Sequence, residues 1–535
     1  MGGSMSCRSV LGLAFAASAL GLPGNRRVTF DLHQAPRRRA ARAADRREPL
    51  VAQEQPRDTL ESDSPHPRLR RLQAPSHPVD LFNLDNVQYV MRVEIGEPCH
   101  GPGRDGEEAA SGPPRALPAK RTSDLVPVES QYGGQVLEVL PDTGSPDLWV
   151  AASNCTNCLE NATLFDVSAS CTAQQLGDRE RFAYRDGTSA SGGSFLDTVR
   201  FGDLKLTSQF LIQVDHMDAE TSMQSDGILG LAPFSSRGKT FLTRMFEERE
   251  HSVLPKQFSF FLKGHTDSTS KLVFGDPDFD QYSKETKFQY AKAHGGQSQA
   301  TWLVSVRSVT WTGSSWSGRS LAAQGAAPLG RGIGALVDSG TSLMVLPSEL
   351  YDSLMAELLW RLSGCVHDAK QDVVRCDCPP ANDLSRMPWL VITFIGDDDE
   401  DFSVCMASEE FILESPDPER PGGAQCIPAF SRGGVTETQR MILGMTFMRS
   451  FYTNFDIDSM RVGFARSAES PLPGLSMCNP HRKSIWCASV AVMLASVAFV
   501  CYVALDYDMG KKEAGADCSA EGGGEVEAAS SPASK

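Results

Sequence analysis

Hydrophobic and polar residues alternate along much of the chain with the period of two that is typical of β-strands. The first clear case is residues 89–95, where the alternation ends at Gly96 and a proline-containing turn. Apolar segments bounded by polar residues and glycines predict further strands at residues 258–262, 271–275 and 302–306. Helical spacing is found instead at residues 241–250 and 347–362. The pattern therefore predicts a fold dominated by β-sheet.

Two segments rich in β-forming residues, 135–139 and 335–337, lead into the same kind of turn. The two copies of this turn are Asp142-Thr143-Gly144-Ser145 and Asp338-Ser339-Gly340-Thr341. Each copy is expected to be a strand that delivers an Asp onto a tight turn, where glycine permits close approach and hydroxyls can donate hydrogen bonds to carboxylate oxygens. Further along, two apolar residues and a glycine follow each turn, ending at Gly230 and Gly444. This repetition indicates an internal duplication.

The duplicated pattern resembles the pepsin-like aspartic proteases, and the resemblance extends over residues 89–465. In that family, each of two lobes supplies one catalytic Asp from such a turn. The resemblance therefore implies an all-β-dominated, bilobal pepsin-like fold, with an N-terminal lobe at residues 81–290 and a C-terminal lobe at residues 291–470. It implies Asp142 and Asp338 as the catalytic residues. The residues that it implies as supports of these two carboxylates are Thr143, Gly144, Ser145, Ser339, Gly340 and Thr341.

Two carboxylates in one site imply a specific chemistry. Like charges that lie close together cannot both ionise cheaply, so the pair shares one proton, which is the established behaviour of aspartic proteases. One Asp then acts as general base on a water molecule, while the other protonates the carbonyl of the substrate. The resemblance thus implies an endopeptidase that acts as a monomer on peptide or protein substrates and requires neither a metal nor a cofactor.

A second feature of the family falls at residues 182–199, where two strand-like segments flank a glycine-containing turn and predict a β-hairpin. In pepsin-like proteases the hairpin at this position is the flap, which closes over the bound peptide and carries a Tyr near its tip. By position, the resemblance implies Tyr184 as that Tyr and Gly187 as part of the substrate-binding tip. The alternative interpretation of Tyr184 is a half-buried strand residue.

The sequence departs from the family pattern around the first Asp. Pro141 precedes it and removes one backbone N–H from the strand, and Pro146-Asp147 replaces the polar pair that usually follows the turn. The alternative function is therefore a catalytically silent, pepsin-fold membrane protein that binds peptides. Relatives that have lost activity usually lack an Asp or its glycine, whereas this chain keeps both in each turn, which favours the enzyme.

Composition and charge narrow the range of partners and compartments. The formal net charge of −16 over 535 residues argues against a nucleic-acid partner, because phosphate binding needs a basic surface. The 14 Cys are more typical of an oxidising compartment, where disulfides form and persist, than of the cytosol.

The two ends of the chain predict entry into the secretory pathway and a membrane anchor. Residues 1–24 have the charged start and short apolar core of a signal peptide, and the Arg- and Pro-rich residues 25–80 are expected to be a removable pro-segment, with a disordered linker as the alternative. After a linker at residues 471–484, the uncharged residues 485–505 are long enough to span a bilayer as a single transmembrane helix. With residues 506–535 as a cytosolic tail, these features predict a type I protein of the endomembrane system or cell surface, with lumenal or extracellular lobes.

The Cys155-x-x-Cys158 spacing alone could indicate metal or redox chemistry, but no second Cys pair or nearby His completes a zinc set, and the predicted signal peptide favours disulfides. Ten of the cysteines, an even number, lie in or just after the predicted lobes. They are Cys99, Cys155, Cys158, Cys171, Cys365, Cys376, Cys378, Cys405, Cys426 and Cys478. The resemblance implies a bridge to Cys426 from either Cys376 or Cys378 and leaves open which of the two takes part. Asn154 and Asn161 each begin a sequon for N-glycosylation.

Overall fold

The computed structural model describes residues 76–478 apart from a set of short segments. These segments are 85–87, 100–129, 159–161, 185–187, 219–222, 249–253, 265–268, 295–300, 313–319, 322–327, 330–331, 369–372, 381–382, 385–386, 418–422 and 434–439. The predicted signal peptide, membrane span and tail lie outside the described residues, as do residues 25–75 of the predicted pro-segment. Within the described ranges, no helix is both long enough and apolar enough to cross a membrane.

Strands account for most of the described residues, in agreement with the alternating pattern. In the first half of the chain the elements are β1 (Ser76–Leu84), β2 (Gln88–Ile95), β3 (Gln135–Asp142), β4 (Leu148–Thr156), β5 (Gln174–Ala183), β6 (Ser189–Phe201), β7 (Leu204–Met217), β8 (Gly227–Gly230), α1 (Phe241–Glu247), β9 (Gln257–Phe261), β10 (Ser270–Gly275), α2 (Phe279–Tyr282) and β11 (Gln289–Lys292). In the second half they are β12 (Leu303–Thr312), β13 (Ser320–Leu321), β14 (Pro328–Leu329), β15 (Gly332–Val337), β16 (Met344–Leu346), α3 (Ser348–Leu359), β17 (Ser363–Asp368), β18 (Val373–Asp377), β19 (Trp389–Ile395), β20 (Asp401–Met406), α4 (Ser408–Phe411), β21 (Ile412–Pro416), β22 (Ala424–Pro428), β23 (Phe430–Arg432), β24 (Met441–Leu443), α5 (Met445–Ser450), β25 (Phe451–Asp456) and β26 (Arg461–Arg466).

The two helices predicted from spacing are confirmed as α1 and α3, and both end before the predicted limit. Helix α1 begins after Thr240, whose side chain accepts a hydrogen bond from Thr243 N at 3.1 Å and so satisfies one of the free N–H groups of the first turn. In α3, Leu350, Leu354 and Leu358 are fully buried, which explains their spacing of four as core packing. The predicted strands at 258–262, 271–275 and 302–306 are confirmed as β9, β10 and the start of β12.

The internal duplication is visible in the strand pairing. Strand β3 runs parallel to β8, with Asp142 opposite Gly230, and β4 runs antiparallel to β8 on its other side. In the second half, β15 runs parallel to β24, with Val337 opposite Leu443, and β16 runs antiparallel to β24. Each half therefore inserts a short strand from later in the chain between the two strands that flank an Asp turn.

Each apolar-apolar-Gly segment ends in a glycine because the backbone beside the Asp turn passes too close to this position to leave room for a side chain. A Cβ atom on Gly230 would lie 2.3 Å from the backbone N of Asp147, and a Cβ atom on Gly444 would lie 2.2 Å from the carbonyl oxygen of Leu343. Both distances are far below van der Waals contact, so any other residue would push the Asp turn out of place. The repeated glycine is thus a packing requirement of the site.

The largest sheet joins strands from both halves of the chain. Its thirteen strands follow the order β11-β26-β25-β9-β10-β1-β2-β3-β8-β4-β7-β6-β5, and further sheets of nine and four strands lie in the second half. Where β25 pairs with β9, the rings of Phe455 and Phe258 stack with centroids 4.8 Å apart. The division predicted between residues 290 and 291 falls inside β11, a strand of this shared sheet, and the lobe limits stay a prediction.

All ten cysteines considered above form disulfides. The bridges are Cys99–Cys171, Cys155–Cys158, Cys365–Cys376, Cys378–Cys426 and Cys405–Cys478. The choice that the sequence left open is therefore settled in favour of Cys378–Cys426. Although Cys376 lies opposite Cys426 in the ladder between β18 and β22, its sulfur is bonded to Cys365 instead.

Candidate active site

Asp142 and Asp338 lie against each other in the structure. Asp142 is the last residue of β3, and Asp338 directly follows β15. A Cβ atom on Gly340 would lie 2.3 Å from Asp142 Oδ1, and a Cβ atom on Gly144 would lie 2.7 Å from Asp338 Oδ1. Each carboxylate thus packs on the glycine of the opposite turn, where any side chain would displace it. Only 4% of Asp142 and 8% of Asp338 is exposed to solvent.

Each carboxylate is held by two hydrogen bonds from its own turn, one to each oxygen. The donors are Gly144 N (2.8 Å) and Ser145 Oγ (2.5 Å) for Asp142, and Gly340 N (2.8 Å) and Thr341 Oγ1 (2.7 Å) for Asp338. In both turns the backbone N–H binds Oδ1 and the hydroxyl binds Oδ2. The two turns therefore present their carboxylates in the same way, as the duplicated sequence suggests.

Thr143 and Ser339 lock the two turns together by exchanging hydrogen bonds with the opposite strand. The Thr143 hydroxyl donates to the Val337 carbonyl at 2.8 Å and accepts from Ser339 N at 2.9 Å. The Ser339 hydroxyl donates to the Pro141 carbonyl at 2.8 Å and accepts from Thr143 N at 3.0 Å. Because all four bonds are buried, they fix the position of one Asp turn relative to the other.

The environment of the pair raises the pKa of Asp142 well above its usual range. Burial is the largest cause, followed by the charge of Asp338 and a hydrogen bond with that carboxyl, while the bonds from Ser145 and Gly144 act in the opposite direction. Two carboxyls in such contact titrate as a unit. The site therefore holds a proton at pH values at which an exposed Asp has lost it.

This arrangement is suited to general acid–base chemistry. A protonated carboxyl beside an ionised one presents a donor and an acceptor to the same bound molecule. Within the described ranges, no group of three or more His, Cys, Asp or Glu side chains is positioned to hold a metal ion.

Tyr184 lies at the end of the hairpin that β5 and β6 form, and we refer to this hairpin as the flap. Tyr184 N donates to the Thr188 carbonyl at 2.7 Å, whereas residues 185–187, including the implied tip residue Gly187, lie outside the described residues. The indole Nε1 of Trp149 donates to the Tyr184 hydroxyl at 2.5 Å. Burial and the charge of Asp142 raise the pKa of that hydroxyl well above its usual range, so Tyr184 stays neutral beside the carboxylate pair.

The sequence assigned no role to two residues that the structure places around the flap. Trp149 could have been identified, because it lies in the apolar segment that follows the first Asp turn and was part of the resemblance. Arg237 carries no such signal, although its Nη1 lies 2.6 Å from Asp147 Oδ2. Its importance follows only from the fold, which brings together residues that are far apart in sequence.

Comparison with known proteins gives a consistent result. The family profile described as "Eukaryotic aspartyl protease" matches residues 132–467, which include both Asp turns and the flap. Among curated relatives, the "Vacuolar aspartic protease" of Candida albicans is 28% identical over 354 residues, which cover 63% of this chain and 74% of that protein.

Two further relatives match over similar lengths. "Rhizopuspepsin-4" of Rhizopus niveus is 26% identical over 355 residues, covering 63% of this chain and 78% of that protein. "Pepsin A" of Bos taurus is 26% identical over 338 residues, covering 62% of this chain and 80% of that protein.

Proposed function

The chain belongs to the eukaryotic aspartyl protease family, and on this premise we propose that it is an active aspartic endopeptidase. One observation carries the proposal: two buried carboxylates lie in contact on turns that are locked together by four hydrogen bonds. A protein that only binds peptides has no need to hold two carboxyls close enough to share a proton, because this arrangement is electrostatically costly.

In the proposed reaction, the pair holds one proton. Because burial and Asp338 favour the protonated form of Asp142, we place the proton there, and the ionised Asp338 removes a proton from the attacking water. Asp142 donates its proton to the carbonyl oxygen of the scissile peptide, which gives a tetrahedral intermediate with two hydroxyl groups. Asp142 then takes a proton back from one hydroxyl group of the intermediate as the C–N bond breaks. Asp338 gives the leaving amine the proton that it took from the water, so the pair again holds one proton. Ser145 and Thr341 keep the outer carboxylate oxygens in place during these steps.

We further propose that the substrates are secretory-pathway or membrane proteins, cleaved between apolar residues, and that the enzyme is a monomeric type I membrane protein with lumenal or extracellular lobes. The sequence features of residues 1–24 and 485–505 support this location. The five disulfides support it too, because such bridges persist in oxidising compartments.

Strand β1 bears on where a removable pro-segment would be cut. Its residues 76–81 pair with β10, and its residues 82–84 pair with β2, so β1 is an interior strand of the large sheet. Cleavage shortly after Arg71 would leave this strand intact, whereas cleavage inside it would expose two strand edges. We therefore propose that the mature chain begins between residues 72 and 76. N-terminal sequencing of the protein from its native membrane tests this position.

The decisive experiment measures peptide cleavage by the full-length protein in detergent across about pH 3 to 8. The singly protonated pair is lost when pH rises through the raised pKa of Asp142, and the general base is lost when pH falls far enough to protonate both carboxyls. We therefore expect a bell-shaped profile with its maximum on the acid side. A transition-state mimic with a hydroxyl in place of the attacked carbonyl should inhibit tightly.

Asp142→Asn and Asp338→Asn should each lower kcat by about 10³- to 10⁵-fold. Asp203→Asn, which changes an exposed Asp in the turn between β6 and β7, is the matched control and should leave kcat unchanged. Cleavage that survives in both active-site variants would refute the proposal. Peptide binding without cleavage by the wild type at every pH would identify a catalytically silent binder instead.

A further inference from the structure

We propose that Arg237 is a positioning residue that ties the flap to the first Asp turn through Asp147, so that the flap and the carboxylate of Asp142 are positioned together. This inference rests on the proposed function, because a flap matters only to a protein that holds a peptide. It deepens that function by naming the residues that connect the flap to the catalytic pair.

The guanidinium of Arg237 bridges the turn and the flap strand. Its Nη1 donates to Asp147 Oδ2 at 2.6 Å, its Nε to Glu180 Oε2 at 2.9 Å, and its Nη2 to the Arg181 carbonyl at 3.1 Å. Its carbon Cζ also lies 5.8 Å from the ring centroid of Phe182. Arg237 thus contacts three consecutive residues of β5 and one residue beside the first Asp turn. A planar guanidinium with several donors can make all of these contacts at once, whereas an ammonium group cannot.

A shift of Asp147 would displace the first Asp turn, because Asp147 is hydrogen-bonded to the backbone that lies beneath that turn. Its other carboxylate oxygen accepts from Ser235 Oγ at 2.7 Å, and its carbonyl accepts from Gly230 N at 3.1 Å. Gly230 in turn lies opposite Asp142 in the ladder between β3 and β8. With a side chain only 9% exposed, Asp147 would be left as a buried, poorly compensated charge without Arg237.

On the flap side, Phe182 connects Arg237 to Tyr184. The Phe182 ring meets the Tyr184 ring edge-on, with centroids 5.7 Å apart, and lies 6.1 Å from the ring of Trp149. Trp149 itself donates to the Tyr184 hydroxyl. A shift of Arg237 therefore moves the aromatic group that holds the flap Tyr over the catalytic pair.

The remaining ion pairs described for β5 do not reach the Asp turn. Arg179 pairs with Asp215 and Arg181 pairs with Asp218, so both join the flap only to the neighbouring strand and the residue that follows it. The side chains of Arg179 and Arg181 are 58% and 75% exposed, against 25% for Arg237. Exposed pairs of this kind contribute little. The matched control is Lys239, two residues from Arg237, because its side chain is 57% exposed and pairs with the exposed Glu247 outside the flap.

The test compares Arg237→Gln and Asp147→Asn with the control Lys239→Gln in the full-length protein. The main readout is the rate at which a transition-state mimic dissociates, since the flap covers the bound mimic. We expect each of the first two changes to accelerate dissociation, and to lower kcat/KM per titrated active site, by about tenfold. Lys239→Gln should change both by less than about twofold, because its ion pair is exposed. The double variant should be no worse than the more affected single variant, because one connection is lost in all three.

A dissociation rate constant does not depend on the fraction of folded protein, so it separates positioning from simple loss of stability. Should Arg237→Gln fail to fold, Arg237→Lys serves instead. It keeps the charge beside Asp147 but cannot reach all three acceptors, so dissociation should still accelerate by about threefold or more. Dissociation rates equal to that of Lys239→Gln would overturn the proposal. If the wild type neither cleaves peptides nor binds the mimic, the proposed function itself has failed.

Discussion

The two Asp turns have the same geometry as far as the residues that bind the carboxylates. The residues that follow differ between the two turns. From each Asp through the three residues that follow it, corresponding atoms make corresponding hydrogen bonds in both turns. At the sixth position the first turn has the buried, ion-paired Asp147, whereas the second has Leu343. The two turns are therefore equivalent only in the residues that hold the two carboxylates.

The divergence follows from what covers each turn. Helix α5 supports the second turn: Met445 N donates to the Thr341 carbonyl at 2.7 Å, and both Thr446 N and Thr446 Oγ1 donate to the Ser342 carbonyl. The first turn lies below the flap and is joined to it through Arg237. A duplicated fold can therefore support one Asp turn on a helix and connect the other Asp turn to a hairpin.

A second difference precedes the Asp residues. Val337 N donates to the Trp302 carbonyl at 3.0 Å, whereas Pro141 at the corresponding position has no N–H to donate. Its carbonyl nevertheless accepts from Ser339, as the Val337 carbonyl accepts from Thr143. Pro141 thus removes a strand hydrogen bond and leaves the lock between the turns complete.

Among the substitutions that test whether the two turns are equivalent, Gly144→Ala and Gly340→Ala should have the largest effect. Each added methyl would occupy the space of the opposite carboxylate, at 2.7 Å and 2.3 Å from its nearest oxygen. We expect each variant to lose about 100-fold or more in kcat/KM, because displacement of a catalytic group by about 1 Å has this effect. The measurement is steady-state cleavage normalised to titrated active sites.

Gly264→Ala is the matched control, because a Cβ atom there meets nothing within 4 Å. It should retain wild-type activity. If only one of the two active-site variants lost activity, the carboxylates would not pack on each other's glycines in equivalent ways.

An intermediate effect is expected from Thr143→Val and Ser339→Ala, which remove the locking hydroxyls one at a time. Each change leaves one buried carbonyl and one buried N–H without its partner, so the free energy of unfolding should fall by about 1–3 kcal/mol. We expect kcat/KM to fall by about tenfold in both, since the turns lose their fixed separation. Thr207→Val, at an exposed hydroxyl on β7, should change neither quantity. Chemical denaturation and cleavage kinetics provide the measurements, and a loss confined to one variant would show that the lock is asymmetric.

The smallest effect is expected from Pro141→Val, which makes the first strand resemble the second. The new N–H can form a strand hydrogen bond, but the unfolded chain regains the freedom that proline removes, so stability should change by less than about 1 kcal/mol. Since the lock is already complete, kcat/KM should stay within about threefold of the wild type. The reciprocal Val337→Pro should destabilise, because the Trp302 carbonyl loses its donor. A gain of tenfold or more in Pro141→Val would mean that proline displaces the first turn.

The carboxylate site could be predicted from the sequence because its components are local and duplicated. Asp142 and Gly144 lie in one turn, and the same spacing recurs at Asp338 and Gly340, so short motifs were sufficient to identify the pair. The role of Arg237 could not be predicted, because its partners Asp147 and Glu180 are distant in sequence and no local pattern joins them.

Two further features needed the structure for related reasons. Cys376 lies on β18 and Cys378 is the first residue after the end of that strand, so the spacing of the two cysteines alone cannot decide which one reaches Cys426. The sequence of β25 does not indicate which strand lies beside it, and its pairing with β9 across the shared sheet depends on the whole topology.

That pairing has a consequence for synthesis on the ribosome. Strand β9, which contains Phe258 and Phe260, pairs with β10 on one side and with β25 on the other, and residues 262–450 are translated between β9 and β25. At ordinary rates of translation, this interval lasts about 10 to 40 s. During that time the nascent chain carries an open, aromatic strand edge, which is the kind of surface that chaperones bind and that aggregation exploits. Strands β25 and β26 therefore determine when the first half is safe from aggregation.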